Sequence, residues 1–274
     1  MSTSPLATWL TTDGPVVMGI VNVTPDSFSD GGQFFKVADA VRQGSRLAAE
    51  GAAIIDVGGE STRPGAEPVT AQQEMDRVVP VVEALFAEID RPISVDTSKA
   101  EVMRAAVAAG AAMINDVYAL REPGALEAAA ALNVPVCLMH MQGEPRTMQA
   151  RPAYTDVVAE VSEFLQERAQ AALAAGMARE SLVLDPGFGF GKSVEHNLEL
   201  LRRLKDLGGL GYPLLAGLSR KSMLGKLTGR PEDERLAGSI ALAVLAAQGG
   251  TSILRVHDVA PTVDALRILA ALRD

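Results

Sequence analysis

The chain has 274 residues, of which 48% are hydrophobic and 4% are aromatic, and its formal net charge is −9. This apolar content excludes a disordered chain, and the length suits one large domain, since α/β barrels commonly reach it. The negative charge argues against nucleic acid or an acidic membrane as a partner, because no basic excess is present to neutralise phosphates. An anionic substrate would have to be met locally, by a few Arg or Lys side chains or by a metal ion.

Cysteine usage and the N-terminal residues bear on redox chemistry and location. Cys137 is the only cysteine, so an internal disulfide and a cysteine-based metal cluster are excluded, and its apolar surroundings indicate a small core residue. The first basic residue is Lys36, so neither a secretory signal nor a transit peptide is indicated. No apolar run approaches the ~18 residues that span a bilayer. We expect a cytoplasmic protein with no membrane partner.

Short apolar strands alternate with Ala-rich helical stretches along the chain. The expected strands are Val16–Val21, Ala53–Val57, Ile93–Val95, Met113–Asn115, Val134–Met139, Leu182–Leu184, Leu214–Leu218 and Ser252–Val256. The expected helices are Val37–Glu50, Ala71–Glu88, Lys99–Ala109, Gly124–Leu132, Tyr154–Ala175, Val194–Lys205, Pro231–Gln248 and Ala260–Leu272. Thr70 and Ser98 are expected helix N-caps, and Gly51, Gly110 and Gly176 are expected to end helices.

This alternation predicts an α/β protein with a parallel sheet. Eight strand–helix units in this length predict a closed (β/α)₈ barrel of the TIM type, with an open doubly wound sheet as the alternative. No linker or low-complexity tract divides the chain. We therefore expect one barrel domain over residues 15–274, preceded by a variable arm at residues 1–14.

Each expected strand is followed by polar, mostly ionisable residues. These residues include Asn22, Asp56, Asp96, Asn115, Asp116, His140, Asp185, Ser219, Arg220, Lys221, Ser222, Arg255, His257 and Asp258. In a barrel these strand ends meet at one mouth, where active sites are built. For Thr70, Ser98, Asp116 and Asp258 the simpler interpretation is preferred, namely that they cap helices or tie loops.

The stretch SLVLDPGFGFGKS, Ser181–Ser193, invites a phosphate-loop interpretation. The frame GxxxxGK[ST] fails because Pro186 occupies its first glycine position, and the dinucleotide frame fails because Lys192 occupies its third. We therefore expect Asp185 to be the functional group. The glycines are expected to turn the chain tightly beside the pocket and place Phe190, while Lys192 and Ser193 begin a helix.

Two connections, Asn22–Phe35 and Gly58–Thr70, exceed the ~2–6 residues usual after a barrel strand. They predict long, mobile first and second loops that close over a substrate and exclude water, and a decorated surface is the alternative.

Seven motifs in order resemble the dihydropteroate synthases, a pterin-binding barrel family. They are MGIVNVTPDSFSDGG (Met18–Gly32), IIDVGGESTRPGA (Ile54–Ala66), ISVDTSK (Ile93–Lys99), VCLMHMQG (Val136–Gly143), LDPGFGFGK (Leu184–Lys192), GLSRKS (Gly217–Ser222) and RVHDV (Arg255–Val259). The resemblance implies a (β/α)₈ transferase of folate biosynthesis. It implies condensation of (7,8-dihydropterin-6-yl)methyl diphosphate with 4-aminobenzoate, giving 7,8-dihydropteroate and diphosphate by dissociative substitution at the pterin 6-methylene.

The resemblance also implies roles for individual residues. The pterin is assigned to Asp96, Asn115, Asp185 and Lys221. The diphosphate is assigned to Thr62, Arg63, Arg255 and His257, with Mg²⁺ as cofactor on Asn22. The aminobenzoate side is assigned to Phe28, Pro64, Phe190 and Ser222, and Asp30 is assigned to the cationic carbon. Met139 and Gly217 are further substrate contacts. The catalytic set is Asp30, Arg63, Asp96, Lys221, Arg255 and His257.

The family further implies a homodimer and sulfonamides that compete for the aminobenzoate site. Two alternatives stay open on the sequence alone. One is a pterin-dependent methyltransferase that presents methyl-tetrahydrofolate to a corrinoid protein, and the other is a non-catalytic pterin-binding paralogue.

Overall fold

The structure is a computed structural model that describes residues 5–10, 14–24, 33–62, 65–144 and 147–272, except for the side chains of residues 33–36. Helices and strands alternate through these ranges. The strands are β1 (Val16–Asn22), β2 (Ile54–Gly58), β3 (Ile93–Asp96), β4 (Met113–Asp116), β5 (Val136–Met139), β6 (Leu182–Asp185), β7 (Leu215–Ala216) and β8 (Ile253–Val256). The helices are α1 (Pro5–Trp9), α2 (Gln33–Ala49), α3 (Ala71–Glu88), α4 (Ala100–Ala108), α5 (Ala125–Leu132), α6 (Val157–Ala174), α7 (Val194–Arg202), α8 (Leu204–Gly208), α9 (Ser222–Thr228), α10 (Leu236–Gln248) and α11 (Val259–Ala270).

The strands form one parallel sheet that closes on itself. Their order is β6-β5-β4-β3-β2-β1-β8-β7, and a parallel bridge between Leu184 and Leu214 joins the two ends. The expected closed barrel is confirmed, and the open doubly wound alternative is wrong. All strand C-termini therefore lie at one mouth.

The barrel interior is divided into a lower apolar layer and an upper polar layer. Because side chains alternate along a strand, residues two apart share a face. A buried cluster takes one inward residue from most strands, and its strand members are Val16, Met18, Ile54, Met113, Cys137, Val183, Leu215 and Ile253. Two residues further along β2, β4, β6 and β8 stand Asp56, Asn115, Asp185 and Arg255. The alternation that builds the core thus also places the polar groups. Cys137 is buried, as expected.

The N-terminal residues pack against the bottom of the barrel. Leu6 in α1 is 1% exposed and belongs to the lower interior cluster, with Trp9 and Leu10 packed against it. The segment expected as an arm therefore contributes a short helix that covers the barrel floor.

Most of the expected helix signals are confirmed. The Thr70 hydroxyl accepts from Gln73 N and forms a capping box at the start of α3. Gly51, Gly110 and Gly176 have φ of 104°, 115° and 94°, which is the left-handed backbone that ends a helix. Ser98 is wrong as a cap, because Lys99 is the N-cap of α4 and the Ser98 hydroxyl donates to Asp116.

Several expected boundaries differ from the structure. β5 starts at Val136 and β7 has only two residues. α6 starts at Val157, because the Asp156 carboxylate accepts from Val158 N and Ala159 N and so fixes the helix start there. The expected helix Val194–Lys205 is two helices separated at Arg203, α9 was not expected, and α10 begins at Leu236 after a 3₁₀ turn over Glu232–Glu234.

None of the helices within the described ranges is long and apolar enough to cross a membrane.

Candidate functional site

The upper polar layer opens into a cavity of about 530 Å³ at the barrel mouth. The cavity brings together residues from the first, second, third, sixth, seventh and eighth strand ends. The expected site residues that line it are Asn22, Thr62, Asp96, Phe190, Gly217, Lys221, Ser222, Arg255 and His257. Asn115, Asp185 and Met139 are buried in the strands of the same mouth, at 4%, 5% and 3% exposure. Phe28, Asp30, Arg63 and Pro64 lie outside the described residues.

Arg255 holds two carboxylates at the centre of this layer. Its Nε lies 2.6 Å from Oδ2 of Asp56, and its Nη2 lies 2.7 Å from Oδ2 of Asp96. Asn115 Nδ2 donates to the same Asp56 oxygen at 3.2 Å. Burial disfavours the guanidinium charge, but the carboxylates of Asp56 and Asp96 outweigh it and hold the pKa of Arg255 above its usual range.

Asp56 is a site residue that the sequence analysis placed at a strand end but did not assign. It is fully buried, and its Oδ1 has no hydrogen-bond partner within the described part of the chain. Its position in β2, opposite Ser94 of β3 and Ile20 of β1, points the carboxylate inward with the other ionisable groups. A buried acid at an inward strand position was the signal that could have found it.

The pKa of the Asp96 carboxyl lies near neutral pH. Burial raises its pKa to about 7, the Arg255 guanidinium opposes this shift, and the Asp56 carboxylate adds to it. A carboxyl in this state gains its negative charge readily when a positive charge develops beside it.

Asp185 ends β6 and begins the glycine turn. Its Oδ1 accepts from Gly187 N at 2.7 Å. Burial raises its pKa to about 6, and the Gly187 hydrogen bond and the charges of Lys221 and Lys192 oppose the shift. Above this pH the carboxylate is ionised and can accept two donors side by side.

Pterin affinity is expected to depend on pH through Asp185. Protonation replaces an acceptor with a donor, so affinity should fall as pH drops below about 6, approaching about tenfold per pH unit because binding then requires loss of one proton. Calorimetry with a pterin lacking the diphosphate, from pH 5 to pH 8 on the wild-type chain and on Asp96→Asn, would check this. The fall should persist in Asp96→Asn, and a flat profile in both proteins would contradict the assignment.

The turn after Asp185 requires glycine because it runs against the neighbouring strand end. Gly187, Gly189 and Gly191 have φ of 67°, 81° and 61°. A Cβ on Gly187 would lie 1.9 Å from the carbonyl oxygen of His140, and one on Gly191 would lie 2.3 Å from that of Gln142. The expected tight turn is confirmed, and its glycines serve close backbone approach.

Phe190 at the tip of this turn packs against Lys221. The Lys221 Nζ lies 4.2 Å from the centroid of the Phe190 ring, within cation–π range. A Cβ on Gly189 would lie 3.1 Å from Cδ of Lys221. The turn and the seventh strand end therefore form one wall of the cavity.

Lys192 directly precedes the start of a helix, but its side chain also makes contacts inside the barrel. Ser193 is the N-cap of α7, as expected, and forms a capping box with His196. The Lys192 side chain points inward instead, with its Nζ 2.9 Å from Nδ1 of His140. Burial lowers the pKa of Lys192 to about 7, and the Asp185 carboxylate opposes this shift. Burial also lowers the pKa of His140 to about 2, with Lys192 contributing.

His257 enters the site as a neutral group. Its Nδ1 lies 3.0 Å from the Ser219 hydroxyl, which also accepts from the backbone N–H of His257 at 3.2 Å. Burial lowers the pKa of His257 to about 3, and the charges of Arg255 and Arg220 add to the shift. It can therefore hydrogen-bond an anion but carries no charge of its own near pH 7.

Arg220 is held in an uncommon backbone conformation. Its φ is 55°, and its guanidinium pairs with Asp258 at 2.6 Å. Asp258 makes no side-chain cap at the start of α11, so it ties the loop, one of the two roles expected of it. Asp116 does the same, accepting from Tyr118 N and Leu120 N.

The second loop is fixed at its base. Glu60 accepts from Val69 N at 3.0 Å through Oε1 and from Lys99 Nζ at 2.7 Å through Oε2. Lys99 also binds the fully buried Glu74 at 2.6 Å, and Arg77 donates to Gly59 O at 2.7 Å. Both ends of the loop that carries Thr62 are therefore anchored to α3 and α4.

Comparison with known proteins gives concordant matches. The family described as "Pterin binding enzyme" matches residues 18–257. The dihydropteroate synthase of Haemophilus influenzae is 56% identical over 257 residues, which cover 94% of this chain and 94% of that protein.

Solved structures match over nearly the whole chain. Dihydropteroate synthase of Xanthomonas albilineans with 4-aminobenzoic acid is 60% identical with a TM-score of 0.92, covering 96% of this chain and 95% of that one. The same enzyme in complex with 7,8-dihydropteroate is 57% identical with a TM-score of 0.88, at the same coverage. The Yersinia pestis enzyme with a sulfonamide drug is 53% identical with a TM-score of 0.92, covering 96% of each chain.

Proposed function

Because the chain belongs to the dihydropteroate synthases, a family of pterin binding enzymes, we propose that its barrel mouth forms 7,8-dihydropteroate by dissociative substitution. The enzyme is a transferase of folate biosynthesis. It condenses (7,8-dihydropterin-6-yl)methyl diphosphate with 4-aminobenzoate and releases diphosphate. The observation that carries the proposed chemistry is the arrangement at the mouth, where the acids Asp96 and Asp185 lie together with the cations Lys221 and Arg255.

Pterin recognition is assigned to Asp185, Asn115 and Lys221. The 2-amino-4-oxo edge of a pterin presents adjacent donors and a carbonyl, which suit an ionised carboxylate, a carboxamide and an ammonium group. Asp185 keeps one oxygen on Gly187 N, so its other oxygen is available to the ligand. A buried site of this kind discriminates strongly against analogues that leave its polar groups unsatisfied.

Diphosphate binding is assigned to Arg255, His257 and Thr62, which line the same cavity. Arg255 uses Nε and Nη2 on Asp56 and Asp96, so Nη1 remains to face the anion. The two carboxylates thereby fix the orientation of the guanidinium before substrate arrives. Pre-organised charge of this kind is a large rate term when a polyanion such as diphosphate leaves.

The reaction proceeds in two steps. The bond between the 6-methylene carbon and the diphosphate oxygen breaks first, and its electron pair leaves with the oxygen. The cation that remains is delocalised over the pterin, where the Asp96 carboxylate offsets its charge. The amino nitrogen of 4-aminobenzoate then bonds to the methylene carbon and loses a proton afterwards. An arylamine is neutral at pH 7, so no residue has to act as a base beforehand.

A divalent cation fits this mouth with few protein ligands. Asn22 lines the cavity beside Arg255 and His257 and offers a hard carboxamide oxygen, while Asp56 and Asp96 are engaged by Arg255. Mg²⁺ commonly keeps several waters and binds through one or two side chains and substrate phosphates. We assign Asn22 as the residue that would hold Mg²⁺, which when bound neutralises charge on the diphosphate.

The aminobenzoate subsite is assigned to the outer wall of the cavity. Phe190 would support the aromatic ring, and the Ser222 hydroxyl would bind the carboxylate at the first residue of α9. Phe28 and Pro64 complete this subsite from the first and second loops. Arg63 is assigned to the diphosphate and Asp30 to the cationic carbon, and all four residues lie outside the described residues. Sulfonamides resemble aminobenzoate in shape and charge, so we expect them to compete at this subsite.

Release of diphosphate tests the proposed reaction. The purified chain with Mg²⁺ should release diphosphate in amounts equal to the 7,8-dihydropteroate formed when both substrates are present. Lys221→Ala should show neither product at a comparable rate. Failure of the wild-type chain to form 7,8-dihydropteroate, with both substrates and Mg²⁺ at saturation, would contradict the proposal.

We also propose that the chain works as a homodimer. Large exposed apolar side chains concentrate near the C-terminal end, with Leu227 in α9, Leu236 and Leu245 in α10, and Ile268 in α11, at 43–67% exposure. Both α9 and α11 contact α10, so exposed apolar side chains on these neighbouring helices are candidates for a subunit interface.

Sedimentation velocity checks the dimer with two matched variants. Leu245→Glu should give a monomer, because a charge would be buried unpaired in the interface. Phe86→Glu alters a more exposed residue on α3, at 65% against 50% for Leu245, and should leave the dimer intact. A wild-type chain that sediments as a monomer at micromolar concentration would contradict the proposal.

The cytoplasmic location stays a prediction, which cell fractionation would check.

A further inference from the structure

Lys192 is a buried cation that the reaction described above does not use. Its side chain is 3% exposed, and its Nζ lies 2.9 Å from His140 Nδ1 and 3.0 Å from the carbonyl oxygens of Gly187 and Phe190. None of these three partners carries a charge. An ammonium group withdrawn from water is costly unless hydrogen bonds satisfy it, so its retention here calls for a role.

The geometry around Nζ matches an ammonium group. Three acceptors lie within 2.9–3.0 Å of it, and the His140 carbonyl oxygen lies farther away at 3.5 Å. An ammonium has three N–H donors to match the three close acceptors, whereas a neutral amine has two. The His140 ring is neutral, so its Nδ1 can accept while the proton resides on Nε2. Lys192 therefore ties two carbonyl oxygens of the glycine turn to the His140 ring that follows β5.

The turn that Lys192 contacts is rich in glycine, so its sequence alone favours no single backbone conformation. Gly187, Gly189 and Gly191 permit many backbone shapes, and fixing a glycine costs more conformational entropy than fixing any other residue. The turn is held to the rest of the barrel by side chains from elsewhere. Asn197 Oδ1 accepts from Gly189 N at 2.7 Å, and the Tyr154 hydroxyl donates to Gly191 O at 2.9 Å.

We propose that Lys192 is a positioning residue for the aminobenzoate subsite, because it holds the carbonyl oxygens of Gly187 and Phe190 and so fixes the turn that presents Phe190 against Lys221. Asp185 is also held in β6 by the pairing with β5, so pterin binding depends less on Lys192. The inference rests on the proposed role of Phe190 beneath the aminobenzoate ring.

Steady-state kinetics of Lys192→Ala and Lys192→Met test the inference. Both variants should raise KM for 4-aminobenzoate about tenfold, because they lose roughly one hydrogen bond to a charged group. Both should lower kcat by less than about threefold. Affinity for a free pterin should change by less than about threefold. The exposed Lys205 on α8 provides the control, since Lys205→Met should leave every constant unchanged. An unchanged KM for aminobenzoate in both Lys192 variants would overturn the proposal.

Amine rescue separates positioning from general destabilisation. Methylammonium can enter the cavity left in Lys192→Ala and restore the three hydrogen bonds, so it should lower KM for aminobenzoate there. The methionine side chain fills this space in Lys192→Met, so the same amine should have no effect. A lowered melting temperature with no rescue of KM by methylammonium would assign Lys192 a purely structural role and overturn the proposal.

Two further variants keep the test decisive if the Lys192 variants do not fold. His140→Asn retains an acceptor for Lys192 and His140→Leu does not, so only the leucine variant should show the raised KM for aminobenzoate. Equal constants in the two would count against the proposal. Phe190→Ala distinguishes the underlying assignment. If Phe190→Ala leaves KM for aminobenzoate unchanged, the assignment of Phe190 to this subsite is wrong. If Phe190→Ala raises this KM but the Lys192 and His140 variants do not, only the proposed role of Lys192 is wrong.

Discussion

Asp185→Asn is expected to lower pterin affinity at least about 100-fold while leaving the fold intact. The carboxylate lies at 5% exposure at the end of β6 and presents one oxygen to Gly187 N. Asparagine can keep that bond through its oxygen, but its NH₂ group would then face the donors of the pterin edge. Calorimetry with a pterin lacking the diphosphate measures the loss.

The same substitution should stabilise the protein without ligand. Burial raises the pKa of Asp185 in the folded state to about 6, above its value in an unfolded chain, so the ionised carboxylate disfavours folding above that pH. Asp185→Asn should therefore unfold at higher temperature than the wild type at pH 7 to 8. The advantage should shrink as pH falls through about 6 and should vanish below about 4, where the wild-type group becomes protonated in both states.

The exposed Asp264 on α11 supplies the matched control for this substitution. Its side chain is 72% exposed, so Asp264→Asn should change neither pterin affinity nor the melting temperature. Unchanged calorimetric affinity in Asp185→Asn would contradict the pterin assignment, whatever its stability.

Arg255→Ala is expected to be the most damaging single substitution at the mouth. It removes the partner of two carboxylates, Asp56 and Asp96, and leaves buried charges uncompensated, which costs about 3–5 kcal/mol of unfolding free energy. It also removes a cation from the diphosphate side of the cavity, so kcat/KM should fall about 1000-fold or more. Urea unfolding and steady-state kinetics measure the two effects.

A second substitution separates the structural from the catalytic part. Asp96→Asn in the Arg255→Ala background removes one of the orphaned charges, so it should recover part of the lost stability and none of the activity. Arg203→Ala is the control, since its ion pairs lie at the surface and contribute little. If the double variant were no more stable than Arg255→Ala, Asp96 would not be part of the balance of charge around the guanidinium.

The placement of most site residues could be predicted from strand periodicity. Asn22, Asn115, Asp185 and Arg255 all follow apolar inward residues at a spacing of two, and parallel strands bring their ends to one mouth. The alternation of residues along each strand is therefore sufficient to predict which side of the barrel wall these side chains face.

The pairing of Arg255 with Asp56 could not be predicted in the same way. The two residues are 199 positions apart, and their contact depends on how long side chains cross the barrel interior. Periodicity places both groups inward but does not choose between the several carboxylates within reach.

Lys192 shows a second limit of sequence reasoning. Its position before the capping Ser193 predicted a helix start, and α7 does begin there. The inward direction of its side chain follows from the φ of the preceding glycine turn and from the acceptors at His140, which local sequence does not specify. Ser98 illustrates the same point, because tertiary contact with Asp116 replaced the expected helix cap.

Positional isotope exchange tests the dissociative reaction most directly. The pterin diphosphate is labelled with ¹⁸O in the oxygen that bridges the methylene carbon and the diphosphate, and it is incubated with the enzyme and Mg²⁺ in the absence of 4-aminobenzoate. Reversible departure predicts that the label moves into non-bridging positions of the recovered substrate, and that Arg255→Ala abolishes this movement. Retention of all label at the bridging position by an enzyme that turns over when 4-aminobenzoate is added would contradict the dissociative mechanism.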